Sequence, residues 1–479
     1  MRPEDQLSPS VRAVLDGLPC SVTLPAGTGK TELIAAVVSE VSKQDGTALV
    51  LTHTHAGVDA LRRRMRKFGV AKDRVVVRTI DAWCFDLIRH FPQLAGLEVP
   101  EAPVWANSCA YHQAAARAVG THAVRRMLSV SYQVVLVDEY QDCLIDQHNV
   151  ILGIVGAVPT AVFGDPLQGL FDFGTNRPVQ WGSDVLAAFP DMAVDYRPWR
   201  WQHDNSELGD WLLSIREALQ TGQPVDLVGA PVKWIQADGL QAQNSVCFGV
   251  PIDDGSVAAL GRFRPDCVTV ASRLQGTYAV MEALDEKATA TFCALVDHSG
   301  PPALASGVVQ FAVNCATGVA VHLPAASRTR LASSKPIGTR KPELQATFDA
   351  VNKILSSPSP GTVRAALETI TRLPGVTVYC REAWREALAA LQHATLDPRL
   401  SVVEALAKVR NHARTTERRS ESRIVTRPLL AKGLEYKHVV LLDADQYTAV
   451  ELYVALTRGS KSVTVISKSP QITPRDSRR

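Results

Sequence analysis

The chain has 479 residues, 46% of them hydrophobic and 21% charged, with a net charge of +3. That length exceeds what one hydrophobic core usually serves, so two core domains with insertions are expected. The composition is that of an ordinary globular protein, and the near-balanced charge requires any basic track for nucleic acid to be local. Nine cysteines without CxxC pairs or metal-ligand spacing read as buried thiols in a reducing compartment, the cytoplasm. Residues 1–10 are polar rather than signal-like. The longest apolar run, 151–163, is cut by Gly and Pro, so no membrane association is expected.

A short amphipathic helix at 11–15 precedes a β-prone run, Val22, Thr23 and Leu24, which leads into PAGTGKT. Glycines are needed there because a Cβ would keep backbone N–H groups from closing around phosphate oxygens. A helix-forming run follows and points its positive end at the same anion. Ala26, Gly27, Thr28, Gly29, Lys30 and Thr31 are the candidate nucleotide cradle. Lys30 would reach the β/γ-phosphates and the Thr31 hydroxyl would hold Mg²⁺. Leu24 stands at the loop's first glycine position and crowds the backbone at that end.

TALVLTHTHAG and VVVRTIDAW each predict a strand running into a helix, and 86–132 is rich in helix formers. YQVVLVDEYQDC is a buried strand ending in acids. Asp138 suits Mg²⁺, and Glu139 can orient or deprotonate an attacking water. AVPTAVFGDPLQG repeats the strand-to-polar-turn design. Such alternation predicts a parallel sheet with its site at the carboxyl ends of the strands. Past residue 200 the pattern loosens. Helix-like stretches at 207–219 and 277–285 flank an expected strand at 267–272, and 308–321 has room for strand. Helices are expected at 344–355, 361–370, 381–392 and 399–413, separated by Pro, Gly and Ser. The α/β pattern returns with YKHVVLLDAD and closes with SVTVIS, before a tail from Pro474 that reads as disordered.

The order of these motifs resembles superfamily 1 DNA helicases of the UvrD/Rep/PcrA kind, from the phosphate loop almost to the C-terminus. The resemblance implies an α/β fold of two RecA-like, parallel-sheet core domains of the P-loop NTPase type with helical insertions. The first core would comprise 1–85 and 133–195, with a short helical insertion at 86–132. The second would comprise 196–287 and 424–479, with a mostly helical insertion at 288–423. In FGDPLQGLFDF, Gln168 matches the γ-phosphate-sensing glutamine, and Phe173 matches an aromatic that stacks on a DNA base. In DYRPW, Tyr196 matches an adenine-stacking residue and Arg197 a γ-phosphate contact. In AKGLEY, Glu435 matches a ribose-binding glutamate. In ELYVALTRGSK, Arg458 matches the arginine finger, which the resemblance brings from the second core domain. Thr52, His53 and Thr54 match a strand-binding loop, and Thr79 another backbone-contacting threonine. The run RRRMRK, 62–67, reads equally as an electrostatic track or as a solvated helix face.

The sequence departs from the family at several positions. Val11 replaces the adenine-reading glutamine, Asp81 a histidine, Leu429 the histidine before the motif lysine, and Gly174 an arginine after the stacking aromatic. These touch DNA contact and coupling more than phosphate chemistry. The resemblance implies an ATP- and Mg²⁺-dependent motor on single-stranded DNA, moving 3′ to 5′, in DNA repair or anti-phage defence. The alternative is a nucleotide-controlled helicase-like switch subunit, of the compact kind found in Gabija-type defence operons, that recruits or activates a partner nuclease. A kinase or GTPase would leave the GDPLQ and LYVALTRG segments without a role.

Overall fold

The computed structural model describes residues 3–101, 103–170, 176–237, 239–251, 254–281, 287–415 and 421–476. The chain divides into two compact units. One is Met1–Val225 with Thr448–Ser460 and Thr473–Arg479, and the other is Asp226–Tyr447 with Lys461–Ile472. Both are α/β units built on sheets with parallel strand pairs, the fold class the sequence predicts.

The first unit opens with α1 (Pro3–Asp16), followed by β1 (Cys20–Thr23), α2 (Lys30–Lys43), β2 (Ala48–Thr52), α3 (His55–Lys67), β3 (Val75–Thr79) and α4 (Ile80–His90). Helices Ser108–Val119 and His122–Ser131 fill most of the expected helical stretch before β4 (Val134–Val137). The helix Ile145–Val155 then leads to β5 (Thr160–Gly164). The five strands lie in the order β1-β5-β4-β2-β3, and every adjacent pair is parallel. All four residues of β4 are buried, because a strand central to a parallel sheet is covered on both faces. One face packs on α2 and α3 through Leu33, Val37, Leu61 and Met65. The other packs on α4 and the helices after it through Phe85, Ala115, Leu128 and Ile151. Since β5 sits between β1 and β4, the turns leaving all three emerge side by side at one edge.

By packing, the units part at Val225 rather than at 195, and 448–460 joins the first. Burial supplies the reason. Trp201 is 1% exposed, with its indole donating to the Gly459 carbonyl at 2.6 Å, and Arg216 is paired with the fully buried Asp165.

In the second unit the strands lie in the order 233–236, 459–467, 436–441, 257–260, 423–426 and 279–280. The expected strand at 267–272 is instead inside the helix Arg264–Arg273. Its buried residues Cys267, Val270 and Ala271, continued by buried Leu274, follow the helical period, and Pro265 stands in the helix's first turn. The strand is Val257–Leu260, a short, fully buried apolar run. The stretch at 277–285 supplies a two-residue strand, Ala279–Val280, beside Arg423–Thr426 rather than a helix; its residues 282–285 lie outside the described residues. Residues 308–315 finish the helix Pro301–Cys315, and only Ala316–Thr317 is strand, paired antiparallel with Thr377–Val378. Helices Pro342–Ser356, Pro360–Ile370, Arg381–Leu396 and Val402–Thr415 match the four expected ones. The stacked rings of Phe292, Phe311 and Trp384 help tie this helical layer together. Of the expected disordered tail, 477–479 lie outside the described residues.

Candidate nucleotide site

The turn between β1 and α2 carries two left-handed residues, Gly27 at φ 69° and Gly29 at φ 95°. An L side chain at either would be strained. At Gly27 a Cβ would also come within 2.7 Å of the Trp201 ring, and at Gly29 within 3.3 Å of Trp199. The backbone N–H of Arg200 donates to the Gly27 carbonyl at 3.1 Å, and the Thr28 hydroxyl to the Pro25 carbonyl at 2.8 Å. Ala26 and Thr28 are buried, and Thr31 is half-buried in the first turn of α2. These bonds hold the turn open and leave the N-terminus of α2, where orphan N–H groups attract anions, as its floor.

Lys30 is 9% exposed, with its Nζ 3.6 Å from Glu139 Oε2. Burial lowers its pKa, but Glu139, Asp138, Asp165 and Asp142 together outweigh that and hold the ammonium above its ordinary range. Glu139 follows β4 in the left-handed region at φ 55°, a costly conformation for a residue with a Cβ and one that clusters at functional sites. Its N–H donates to Asp138 Oδ1 at 2.9 Å, and its carboxylate accepts from the Gln141 amide. Gln141 Oε1 in turn accepts from the Asp165 N–H at 3.0 Å, which ties the turn after β4 to the turn after β5.

A second, deeper layer supports these groups. Asp165 is fully buried and accepts both guanidinium arms of Arg216, at 2.8 and 2.9 Å, and the Gln168 amide at 3.0 Å. Arg216 also donates to the Tyr453 hydroxyl at 2.6 Å. Burial works against the Arg216 charge, yet its bonds and charge contacts with Asp165 and Tyr453 keep it firmly protonated. Arg458, 1% exposed, donates to Gln168 Oε1 at 3.4 Å, to Thr457 Oγ1 at 2.9 Å and to the Val454 carbonyl at 3.0 Å. Lys30, Asp138, Glu139, Gln168 and Arg458, distant in sequence, thus belong to one connected polar cluster.

Other expected residues are placed differently. Tyr196, 43% exposed, and Arg197 lie on the run leading to the turn Trp199–Trp201. It is Arg200 and Trp201 that pack on the phosphate loop, and Arg200 donates to the Thr457 carbonyl at 2.7 Å. Thr52 is 1% exposed, while Thr54 and Thr79 use their hydroxyls to cap α3 and α4, accepting from Gly57 and Ala82. His53 Nε2 lies 3.5 Å from Cys143 Sγ. Asp81 accepts from Gln147 at 2.8 Å and lies 2.7 Å from His112 Nε2. Glu435 is an exposed residue of the second unit. Phe173 and Gly174 lie outside the described residues. Sequence reasoning missed Arg200, Trp201 and Arg216. RPWRW offered two arginines and no way to choose between them, and Arg216 reads as an ordinary helix arginine.

The donor set fits a nucleotide with magnesium: hard oxygens at Thr31 and Asp138, a buried cation at Lys30, and a turn with two left-handed glycines at the N-terminus of α2. Residues 9–173 match the family model described as an AAA domain. That span covers well under half of the chain. Among solved structures, the Pif1 helicase from Candida albicans is similar at 14% identity and a TM-score of 0.33, over 59% of this chain and 55% of that one. The chain thus spans about half the length of that structure. No curated protein matches the sequence.

Proposed function

We propose that the chain is an ATP-dependent DNA helicase or translocase that hydrolyses ATP with Mg²⁺ and moves 3′ to 5′ on single-stranded DNA. The observation that supports this most is the polar cluster joining Lys30 and Glu139 to Gln168 and Arg458. Bound Mg²⁺ would screen the phosphate charge. Lys30 neutralises the transferring phosphoryl group, and Glu139 takes a proton from the attacking water. Gln168 and Arg458 reach the γ-phosphate as one bonded pair, so its loss is felt at Arg458 and at the turn after β5 together. Stimulation by single-stranded DNA tests the reading: wild type should hydrolyse ATP faster with the strand present, and equal rates would overturn translocation.

A second reading is favoured by the threonines. Thr54 and Thr79 are engaged as helix caps and Thr52 is buried, which suits a chain whose hydrolysis switches a partner nuclease without travel. Strand-independent hydrolysis with a copurifying nuclease would decide for it.

A further inference from the structure

The run Arg62–Lys67 does not present one uniform face. Arg62 turns back to the sheet and donates to the Val77 carbonyl at 3.0 Å, and Met65 is buried. Arg63, Arg64 and Lys67 instead line one hollow of about 260 Å³, together with Ala60 and with Thr31 of the phosphate loop. Residues at this spacing share a helix face, and like charges there repel. Arg64 is partly offset by its ion pair with Glu32 in the first turn of α2, but among the described residues no acidic one lines the hollow itself. The Ser39 hydroxyl donates to the Phe68 carbonyl at 3.3 Å and pins the far end of α3 to α2. The walls are therefore joined both by this bond and by the Arg64–Glu32 pair.

We infer that this hollow between α2 and α3 is a second anion site, taking a phosphate or diphosphate group on Arg63, Arg64 and Lys67 at the flank of the phosphate loop. Size and polarity decide the class. The volume exceeds the ~30 Å³ share of a single water and falls below the ~300–1,000 Å³ of pockets for drug-sized ligands. Alanine is its one apolar residue, so charge rather than apolar contact dominates what it takes. Two guanidiniums match phosphate oxygens in bidentate fashion, and the lysine adds a point charge. The phosphate can be a diester of a nucleic-acid backbone or the end of a free polyphosphate.

The test is calorimetric titration of inorganic pyrophosphate, without Mg²⁺, into full-length Lys30→Ala protein, in which the phosphate loop has lost its cation. Binding is expected there, and it should weaken about tenfold or more when Arg63→Gln and Lys67→Gln are added, the loss expected for charge-assisted bonds. Both residues are exposed, so that variant should keep its circular dichroism spectrum and melting point. No binding, or binding that the added pair leaves unchanged, would overturn the site. A single-stranded oligonucleotide that displaces pyrophosphate identifies backbone phosphate as the ligand, and failure to displace identifies a free polyphosphate. The readout involves no hydrolysis, so its failure leaves the proposed function standing, and loss of ATPase activity leaves this site standing.

Discussion

At the scale of single residues, the site rests on charges that only neighbouring charges make tolerable. Lys30 can stay protonated while 9% exposed because four carboxylates surround it. Lys30→Ala should therefore lower kcat by about 10²–10³-fold or more in a coupled ATPase assay, the scale of losing one preorganised stabiliser of developing charge. Arg458→Ala should cost about 10³-fold or more in the same assay, since it removes the guanidinium bonded to Gln168. Intact turnover in that variant would remove Arg458 from the site. Asp165 needs Arg216 for a different reason. With the guanidinium gone the carboxylate is fully buried and uncompensated, so Arg216→Met should destabilise the first unit by about 3–5 kcal/mol in denaturant unfolding. Asp81 adds a pH dependence. Burial pushes its carboxyl up, but the hydrogen bond and charge of His112, with Gln147 and His53, bring it below the ordinary value. A depressed carboxylate stabilises fully above its unfolded pKa of about 3.9, and that contribution is lost as pH falls through the folded value. Asp81→Asn should therefore flatten the acid limb of a stability-versus-pH curve while the wild type falls.

At the scale of elements, the strand-to-helix turns of the first sheet do two jobs with few residues. Thr79 ends β3 and caps α4, so Thr79→Ala should cost about 1 kcal/mol of stability and Thr79→Ser much less. A strand-binding defect in Thr79→Ala that Thr79→Ser restores would trace the contact to the hydroxyl, and one that persists in Thr79→Ser would exclude it. The glycine turn between β1 and α2 was legible from its residues alone, because Gly-x-Gly-Lys-Thr between strand and helix needs left-handed backbone at both glycines. The acidic turn after β4 was legible as a turn, since an apolar strand ends there in two acids, but such a pair is usually only solvated, and its catalytic reading leaned on the glycine turn upstream. The strand at 257–260 was not legible. VAAL is short and poor in β-branched residues, while CVTVAS nearby alternates like a strand and folds as helix because its buried positions recur every three to four residues.

At the scale of the whole molecule, two α/β units each bury their own core, and no helix among the described residues is long and apolar enough to cross a membrane. Eight of the nine cysteines are buried, and Cys109 alone is exposed. A thiol reagent should therefore modify one cysteine in the native protein and nine after denaturation. The native reaction should be slow at neutral pH, because the hydrogen bond to Asp146 raises the Cys109 thiol's pKa. More than one fast-reacting thiol would mean that a core opens readily.

The sequence by itself determined the glycine turn that opens α2 and the acidic turn after β4, the groups proposed to meet phosphate. The turn from β1 into α2 and the acids after β4 are local, fixed by backbone conformations and charges within a few residues of one another. Only the tertiary structure decided what stands behind them. It put Arg200 and Trp201 on the turn after β1, Arg216 under Asp165, His112 against Asp81, and Arg458 on Gln168. Those pairings span tens to hundreds of residues. Arg216 under Asp165 and His112 against Asp81 exist because burying a charge is costly unless an opposite one is brought to it, and the others because buried donors and acceptors need partners.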